Sequence, residues 1–479
     1  MARLPTIGSD TNNWGTVLNQ FLQVGHNADG SLSKAMKVYN VNDDAYGGNI
    51  NTAATAAGNA GGGIVLVPPG FYTSSPITLQ NRVWLMGAGM RATVIKLANG
   101  SNDSLIKNFV SPDNIIANAE FCGVLNLMLD GNKANQSGTS HGIFFTCAPT
   151  NAAATNDDDF DTHQLIQNVF MNNVLTDGFN ATGRSGTQLH NVQAYNSGRY
   201  GFNPAFDTEL VGCVSGNSGL HGFWLNSTSL RLTNCKSFYS GQVTPASGNG
   251  FNITTGINGV SLAGCEAQDN QACGFAFDTV DRCTLVGCVA DSNSRSSAGT
   301  YPALDFWATT NSLVEGLVCY DRKSDGSTTW QTHALRMRSS STGNRVSLTH
   351  SGSGGAVVST PIMSASTSLA GNDIRINSQA AFQTITYAAS ITPDPFVGNV
   401  VEVTLTGALT INAPGNGPYV AGTTLTFILI QDGTGGRVTT FNAAYKTNWT
   451  PVTTASKTNT ISFAYDGTSW WQQSAVTGM

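Results

Sequence analysis

The chain has 479 residues, of which only 11% are charged (23 Lys and Arg, 29 Asp and Glu, formal net charge −6), whereas 53 are glycine. A soluble domain ordinarily carries roughly 25% charged residues. With 40% hydrophobic residues the chain is too apolar and too weakly charged for intrinsic disorder and too poor in Glu, Lys and Arg for a coiled coil. It also lacks the basic surplus of a nucleic-acid or anionic-lipid binder. Gly, Asn, Ser and Thr in place of charge predict many short strands joined by tight turns. The first residues lack the apolar core of a secretory signal, so no cleaved leader is expected. Runs such as 63–67 and 425–430 are too short to cross a bilayer, and nine cysteines, an odd number in a long chain, do not suit a disulfide framework.

Residues 1–40 read as a head. Asn13-Trp14-Gly15, Leu18-Asn19, Phe21-Leu22 and His26-Asn27-Ala28-Asp29-Gly30 give one amphipathic segment between turn signals, too small to fold alone. From residue 41 the pattern changes. Asp43-Asp44, the Ala-rich 51–58 stretch, Gly61-Gly62-Gly63, 64–72 and 83–89 predict a capping helix followed by two short buried strands, and 125–132 adds another.

A repeat follows. Gly-Phe recurs at Gly178-Phe179, Gly201-Phe202, Gly222-Phe223, Gly250-Phe251 and Gly274-Phe275, with echoes at Ala303-Leu304 and Ala334-Leu335. The successive spacings are 23, 21, 28, 24, 29 and 31 residues. A minimum near 21 with variable additions describes a solenoid coil with one extensible turn. The additions precede the next Gly-Phe, so loops of changing length crowd one edge of the stack. Cys213, Cys235, Cys265 and Cys288 share one position of the repeat, with Val192 before them and Leu317 after them. Stacked about 4.8 Å apart, the thiols are expected to form an inward ladder. They are not expected to hold a metal, because a straight stack cannot surround an ion tetrahedrally.

Strand alternation then assigns faces. The Gly-Phe phenylalanines point inward, and two outward columns lie beside them. One holds Asn203, Trp224, Asn252, Ala276, Asp305 and Arg336; the other holds Ala205, Asn226, Thr254, Asp278, Trp307 and Arg338. In a chain so poor in charge, this is the candidate site. Trp224 and Trp307 are candidate stacking platforms for sugar rings, with Asn226 and Asn252 beside them as polar contacts. Asp278 and Asp305 are diagonal neighbours, their Cα atoms about 8 Å apart from strand spacings. Side-chain swing brings the carboxyls within the ~6.5–9.5 Å of an inverting glycosidase. Arg336 and Arg338 suit an acidic sugar. The competing reading is that the acids simply pair with the arginines. Asp157-Asp158-Asp159 with Asp161 reads as an acidic loop rather than a calcium site, and His141, His190, His221 and His333 share no triad or metal spacing. No cofactor motif is present.

From about residue 380 the chain shifts to Thr, Val and Ala. Segments 400–406, 409–411, 423–430, 433–438 and 458–465 alternate as strands, and Tyr465-Asp466-Gly467-Thr468-Ser469-Trp470-Trp471 closes a last hairpin. A small antiparallel β-sandwich is expected.

Three stretches resemble a known family. The 1–40 head resembles the segment that joins phage tail fibres and tailspikes to the tail. The 41–132 succession resembles the opening of the pectate-lyase-like, right-handed single-stranded parallel β-helix. The run 430–436 with 465–468 resembles the C-terminal domains of phage tail proteins. The resemblance implies an all-β chain with a tail-attachment segment (1–40), a parallel β-helix (41–379) and a C-terminal β-sandwich for trimerisation or receptor binding (380–479). It further implies a homotrimer in the virion tail, attached to a phage tail or baseplate protein through residues 1–40. Such a protein recognises a host surface polysaccharide, and depolymerisation as a glycoside hydrolase through Asp278 and Asp305 is the accompanying expectation. A non-enzymatic adhesin using its C-terminal domain, and a free polysaccharide lyase, are the alternatives.

Overall fold

The computed structural model describes residues 16, 18, 37–109, 121–147, 163–183, 186–321, 330–350, 362–364, 372–377, 382–395, 398–415, 419 and 421–479. Nearly all of the 1–36 head, and the Asp157–Asp161 loop, lie outside them.

The Gly-Phe positions open the strands of an 11-stranded, all-parallel sheet, here the face sheet. Phe179, Phe202, Phe223, Phe251, Phe275, Leu304 and Leu335 pair with one another coil upon coil, in the order the spacings predict. Their side chains fill the interior as a stack of rings. Successive centroids from Phe202 through Phe223 and Phe251 to Phe275 lie 4.8, 4.6 and 5.1 Å apart with planes within 12° of parallel, and all four are fully buried. The coil spacing of about 4.8 Å therefore doubles as an aromatic stacking distance. Glycine before each phenylalanine is sterically required: a Cβ at Gly222 would lie 2.0 Å from Ser237 Oγ, and one at Gly201 2.0 Å from Ser215 Oγ.

Each coil returns through a 19-stranded sheet, the back sheet, whose strands break at one recurring position. Glu209–Val211 and Val214–Gly216 are one such pair. The break holds a left-handed residue in eight successive coils: Asn126, Asn168, Asn191, Gly212, Asn234, Gly264, Gly287 and Gly316, with φ between 52° and 68°. Only Gly and, at smaller strain, Asn adopt this conformation routinely. The asparagines also bond along the stack, Asn168 Nδ2 to Asn126 Oδ1 at 3.0 Å and Asn191 Nδ2 to Asn168 Oδ1 at 2.8 Å. The residue after the break points inward, which places Cys213, Cys235, Cys265 and Cys288 in the core beside Val192 and Leu317, all at most 1% exposed. Burial pushes the Cys235 thiol well above the ordinary thiol range, and contact between neighbouring thiols raises Cys265 and Cys288.

The N-terminal end of the stack is closed by the helix Ile50–Asn59. Asn49 caps it, its side chain accepting the Thr52 N–H at 3.1 Å, and Ile50, Ala53, Ala54 and Ala57 are buried. Beyond the last coil, a second core from Ile391 to Trp470 forms between a six-stranded and a three-stranded sheet. The two-sheet architecture agrees with the sequence reading, but the pairing is mixed. Only 424–430 with 458–464, and 458–465 with 470–476, run antiparallel. The strands from Phe382 to Thr426 and from Ser390 to Phe441 pair in parallel. Trp470 belongs to the core at 2% exposure, whereas Trp471 is half exposed and donates its Nε1–H to Asp466 Oδ2 at 2.6 Å. No described helix is long and apolar enough to cross a membrane.

Candidate functional site

Parallel pairing builds the outward columns of the face sheet residue by residue. Trp224, Asn252, Ala276, Asp305 and Arg336 are consecutive partners, as are Asp278, Trp307 and Arg338. Asn226 is exposed just past the strand Phe223–Leu225. Ala205, expected outward, is instead 1% exposed and packed in the core, because the strand Phe202–Asn203 ends before it; the partners from Trp224 onward stand in the expected columns, but their chemistry differs from the two-carboxylate expectation.

Asp305 is only 5% exposed and is gripped by both arginines. Arg336 donates from Nε to Oδ1 at 2.9 Å and from Nη2 to Oδ2 at 2.7 Å. Arg338 donates from Nε to Oδ1 at 3.1 Å and from Nη2 to Oδ2. Four charge-assisted donors on two oxygens leave this carboxylate no role as an acid or base for a substrate. The inverting pair expected of Asp278 and Asp305 is thus not assembled; Asp278 stands exposed, accepting only the Thr279 hydroxyl at 3.0 Å. Two guanidinium groups around one carboxylate leave the Asp305–Arg336–Arg338 triad with a charge of +1, while the exposed Asp278 carboxylate stands on the far side of Trp307 in the Arg338 column. The Arg338 guanidinium also lies 4.1 Å over the Trp307 ring, and Trp307 remains 44% exposed. One face of this indole is cationic and the rest is open.

A second cluster is centred five coils nearer the N-terminus, about 24 Å away at the strand spacing. Its centre is Asp177, fully buried. Arg199 holds it from Nε to Oδ1 at 2.7 Å and from Nη2 to Oδ2 at 2.6 Å, Tyr200 N–H donates to Oδ1 at 3.1 Å and Asn180 Nδ2 to Oδ2 at 2.5 Å. His141 Nδ1 lies 3.3 Å from Oδ2. Burial alone would raise this carboxyl, but the hydrogen bonds from Arg199 and His141 outweigh it and hold it down at about 2. The Arg199 guanidinium lies 4.8 Å over the Tyr200 ring. Tyr200 in turn stacks on Trp224 at 5.0 Å and 5°, with His221 on the same indole at 4.9 Å and 17°. Trp224 is thus a backed platform rather than a free-standing one. Burial pushes His221 down to about 3, so it is neutral at ordinary pH, and its Nδ1 accepts the Asn249 N–H at 3.3 Å.

Sequence reasoning missed Asp177, Arg199, Tyr200 and His221. The signal was present one residue before the repeat anchor: His141, Asp177, Tyr200, His221 and Asn249 precede a Gly and His333 precedes Ala334, with Cys273 and Pro302 at the same position of the coils between. Three of the four histidines with no common spacing therefore share a structural column.

Among the described residues no group of three or more His, Cys, Asp or Glu side chains is placed to hold a metal ion. Fold and site together define a right-handed parallel β-helix with an aromatic and cationic strip along one flat sheet, joined to a two-sheet C-terminal domain. Residues 391–470 match the family described as "Putative phage tail fibre C-terminal domain". A mannuronan C5-epimerase of Azotobacter vinelandii is 33% identical over 180 residues, which are 32% of this chain and 20% of the relative; the chain spans about a fifth of that relative's length. Among solved structures, the A-module of a second A. vinelandii mannuronan C5-epimerase covers 71% of this chain and 95% of its own, at 21% identity and TM-score 0.54. Full-length tailspike protein 2 of an Escherichia coli O157:H7 bacteriophage covers 93% of this chain and 63% of its own, at 12% identity and TM-score 0.57. At these identities the two structures establish the shared fold.

Proposed function

We propose that the chain is a tailspike-type receptor-binding protein of a phage or phage-derived particle, and that it binds an acidic polysaccharide of the host surface along the outward face of the face sheet. The observation that carries the reading is the surplus guanidinium charge around Asp305 beside an exposed indole. A uronate offers a planar carboxylate that matches the guanidinium fork and an apolar ring face that stacks on an aromatic. The similarity to enzymes named for mannuronan, a polyuronate, supports that substrate class, and the match over residues 391–470 supports the tail-fibre setting. In this reading residues 1–40 attach to the tail or baseplate, 41–379 carry the glycan face, and 380–479 serve trimerisation or receptor binding in a homotrimer of the virion tail. Affinity electrophoresis tests it: a polyuronate embedded in the gel retards the protein and a neutral glucan does not. Equal mobility in both overturns the reading.

Modification of the bound chain is a second reading, favoured by one observation. Tyr200, whose phenol can donate a proton, lies with its ring centroid 5.8 Å from that of neutral His221 on this face. Its test is the appearance of new chain ends or altered uronate signals in the polymer after incubation, and their loss in Tyr200→Phe.

A further inference from the structure

The two indoles of the face sheet are each covered on one side, and the covered sides point away from each other. Tyr200, one coil nearer the N-terminus than Trp224, stacks on it with centroids 5.0 Å and planes 5° apart, and His221 stacks on it at 4.9 Å. The Tyr200 and His221 centroids are 5.8 Å apart, too close for rings on opposite faces of one indole. Both therefore occupy the face turned toward the N-terminal coils. Trp307 is covered from the other direction. Arg338 belongs to the next coil toward the C-terminus, and its guanidinium lies 4.1 Å over the ring. The open face of each indole is thus turned toward the other.

Three coil spacings separate them, about 14 Å along the axis. The floor of this trough is low and uncharged at Asn252 and Ala276, each 8% exposed. Charge enters it at Asp278, which is exposed and pairs in register with Trp307 on the open side of that indole. Asp278 Oδ1 accepts the Thr279 hydroxyl at 3.0 Å, and among the described residues no cation is bonded to this carboxylate. Across the ring, Arg336 and Arg338 hold Asp305 with one guanidinium in excess. Trp307 therefore divides an anionic side from a cationic one, with Asp278 and Arg338 two strand spacings apart, about 10 Å. A sugar stacked on the open face of Trp307 presents its hydroxyls to Asp278, which accepts hydrogen bonds from them. A carboxylate on that same sugar meets a like charge and is disfavoured. An acidic sugar finds its guanidinium fork only on the far side of the ring.

We propose that the trough between Trp224 and Trp307 is a subsite for uncharged sugar residues and that Asp278 sets the charge pattern of the ligand. An acidic residue sits at Arg336 and Arg338, and the residues that follow it toward Trp224 bear hydroxyls and no carboxylate. The inference rests on the glycan reading above and deepens it: a chain of uronate alone still meets the surplus guanidinium charge, but it also meets Asp278. Two oligosaccharides of equal length are the probes, one of uronate alone and one alternating glucuronate with N-acetylglucosamine. Each is titrated calorimetrically, at low and at high salt, into full-length wild type, Asp278→Asn and Trp224→Ala. Asp278→Asn is expected to raise affinity for the uronate-only oligomer about fivefold relative to the alternating one, the size of one like-charge contact in water, and high salt is expected to erase the gain. Trp224→Ala is expected to weaken both oligomers about tenfold, as loss of a stacking platform does, without moving their ratio. An unchanged ratio in Asp278→Asn, or wild-type affinity in Trp224→Ala, overturns the inference and leaves the glycan reading standing. Failure of wild type to bind either oligomer overturns the glycan reading and this inference with it.

Discussion

The two clusters on the face sheet are built from the same parts to opposite ends. Around Asp177 one carboxylate meets one arginine, the charge closes, and the pair is spent on fixing Tyr200 against Trp224. Around Asp305 one carboxylate meets two arginines, and a unit of positive charge remains beside Trp307. A buried carboxylate held by partly exposed arginines thus serves as scaffold in one place and as half-neutralised anion site in the other. The count of guanidinium groups, rather than their presence, separates the roles.

The sharpest way to break this contrast is to remove one arginine from each. Arg199→Met leaves fully buried Asp177 without its cationic partner, and because Arg199 is itself 40% exposed and Tyr200 N–H and Asn180 still donate to the carboxylate, a loss of about 2–3 kcal/mol is expected. Arg338→Met leaves Asp305 still held bidentately by Arg336, and about 1 kcal/mol is expected. Urea titrations of both variants check this. Equal losses would mean that the two clusters are not differently partnered.

Acid titration sharpens it further. Asp177 is held below its unfolded value, so its contribution to stability is full above the ordinary carboxylate range and is lost as pH falls toward about 2. Asp321 is the reverse case. Burial raises it to about 6, although Gln331 and Trp330 donate to it. Its folded state binds the proton more tightly than the unfolded state, so its stabilisation is full below the ordinary range and is lost as pH rises through about 6. Wild type is expected to gain about 2–3 kcal/mol relative to Asp321→Asn between pH 7 and pH 4, read by thermal melts of the two proteins across that range. A constant difference would contradict the assignment.

A smaller effect concerns the thiol ladder. Cys213, Cys235, Cys265 and Cys288 are expected to resist a maleimide in the native protein and to react in urea. Rapid native labelling would place them outside the core.

Much of the fold was legible because the coil imposes a period. Phe223, Phe251 and Phe275 announce the register, and once it is set, alternation places Trp224, Asp305 and Arg336 outward. What alternation cannot give is partnering. Asp278 and Asp305 are diagonal neighbours as expected, yet the two arginines of the next coil reach Asp305 first, because their long side chains span one strand spacing with a bidentate fork. The Asp177 cluster was hidden for a related reason: its members stand before the Gly, in the turn, where neither period 2 nor the Gly-Phe spacing says which way a side chain points. In the C-terminal domain, alternation showed the strands and was silent on direction, so the parallel pairs such as 400–405 with 426–431 were read as antiparallel.

The central claim is that an acidic glycan is drawn to the surplus charge at Asp305. Calorimetric titration of a polyuronate oligosaccharide into wild type and Arg338→Met, at low and at high salt, tests it most directly. Loss of one guanidinium is expected to weaken binding about tenfold, equivalent to ~1.4 kcal/mol, and to flatten the salt dependence. An unchanged affinity and an unchanged salt dependence in Arg338→Met would contradict the account.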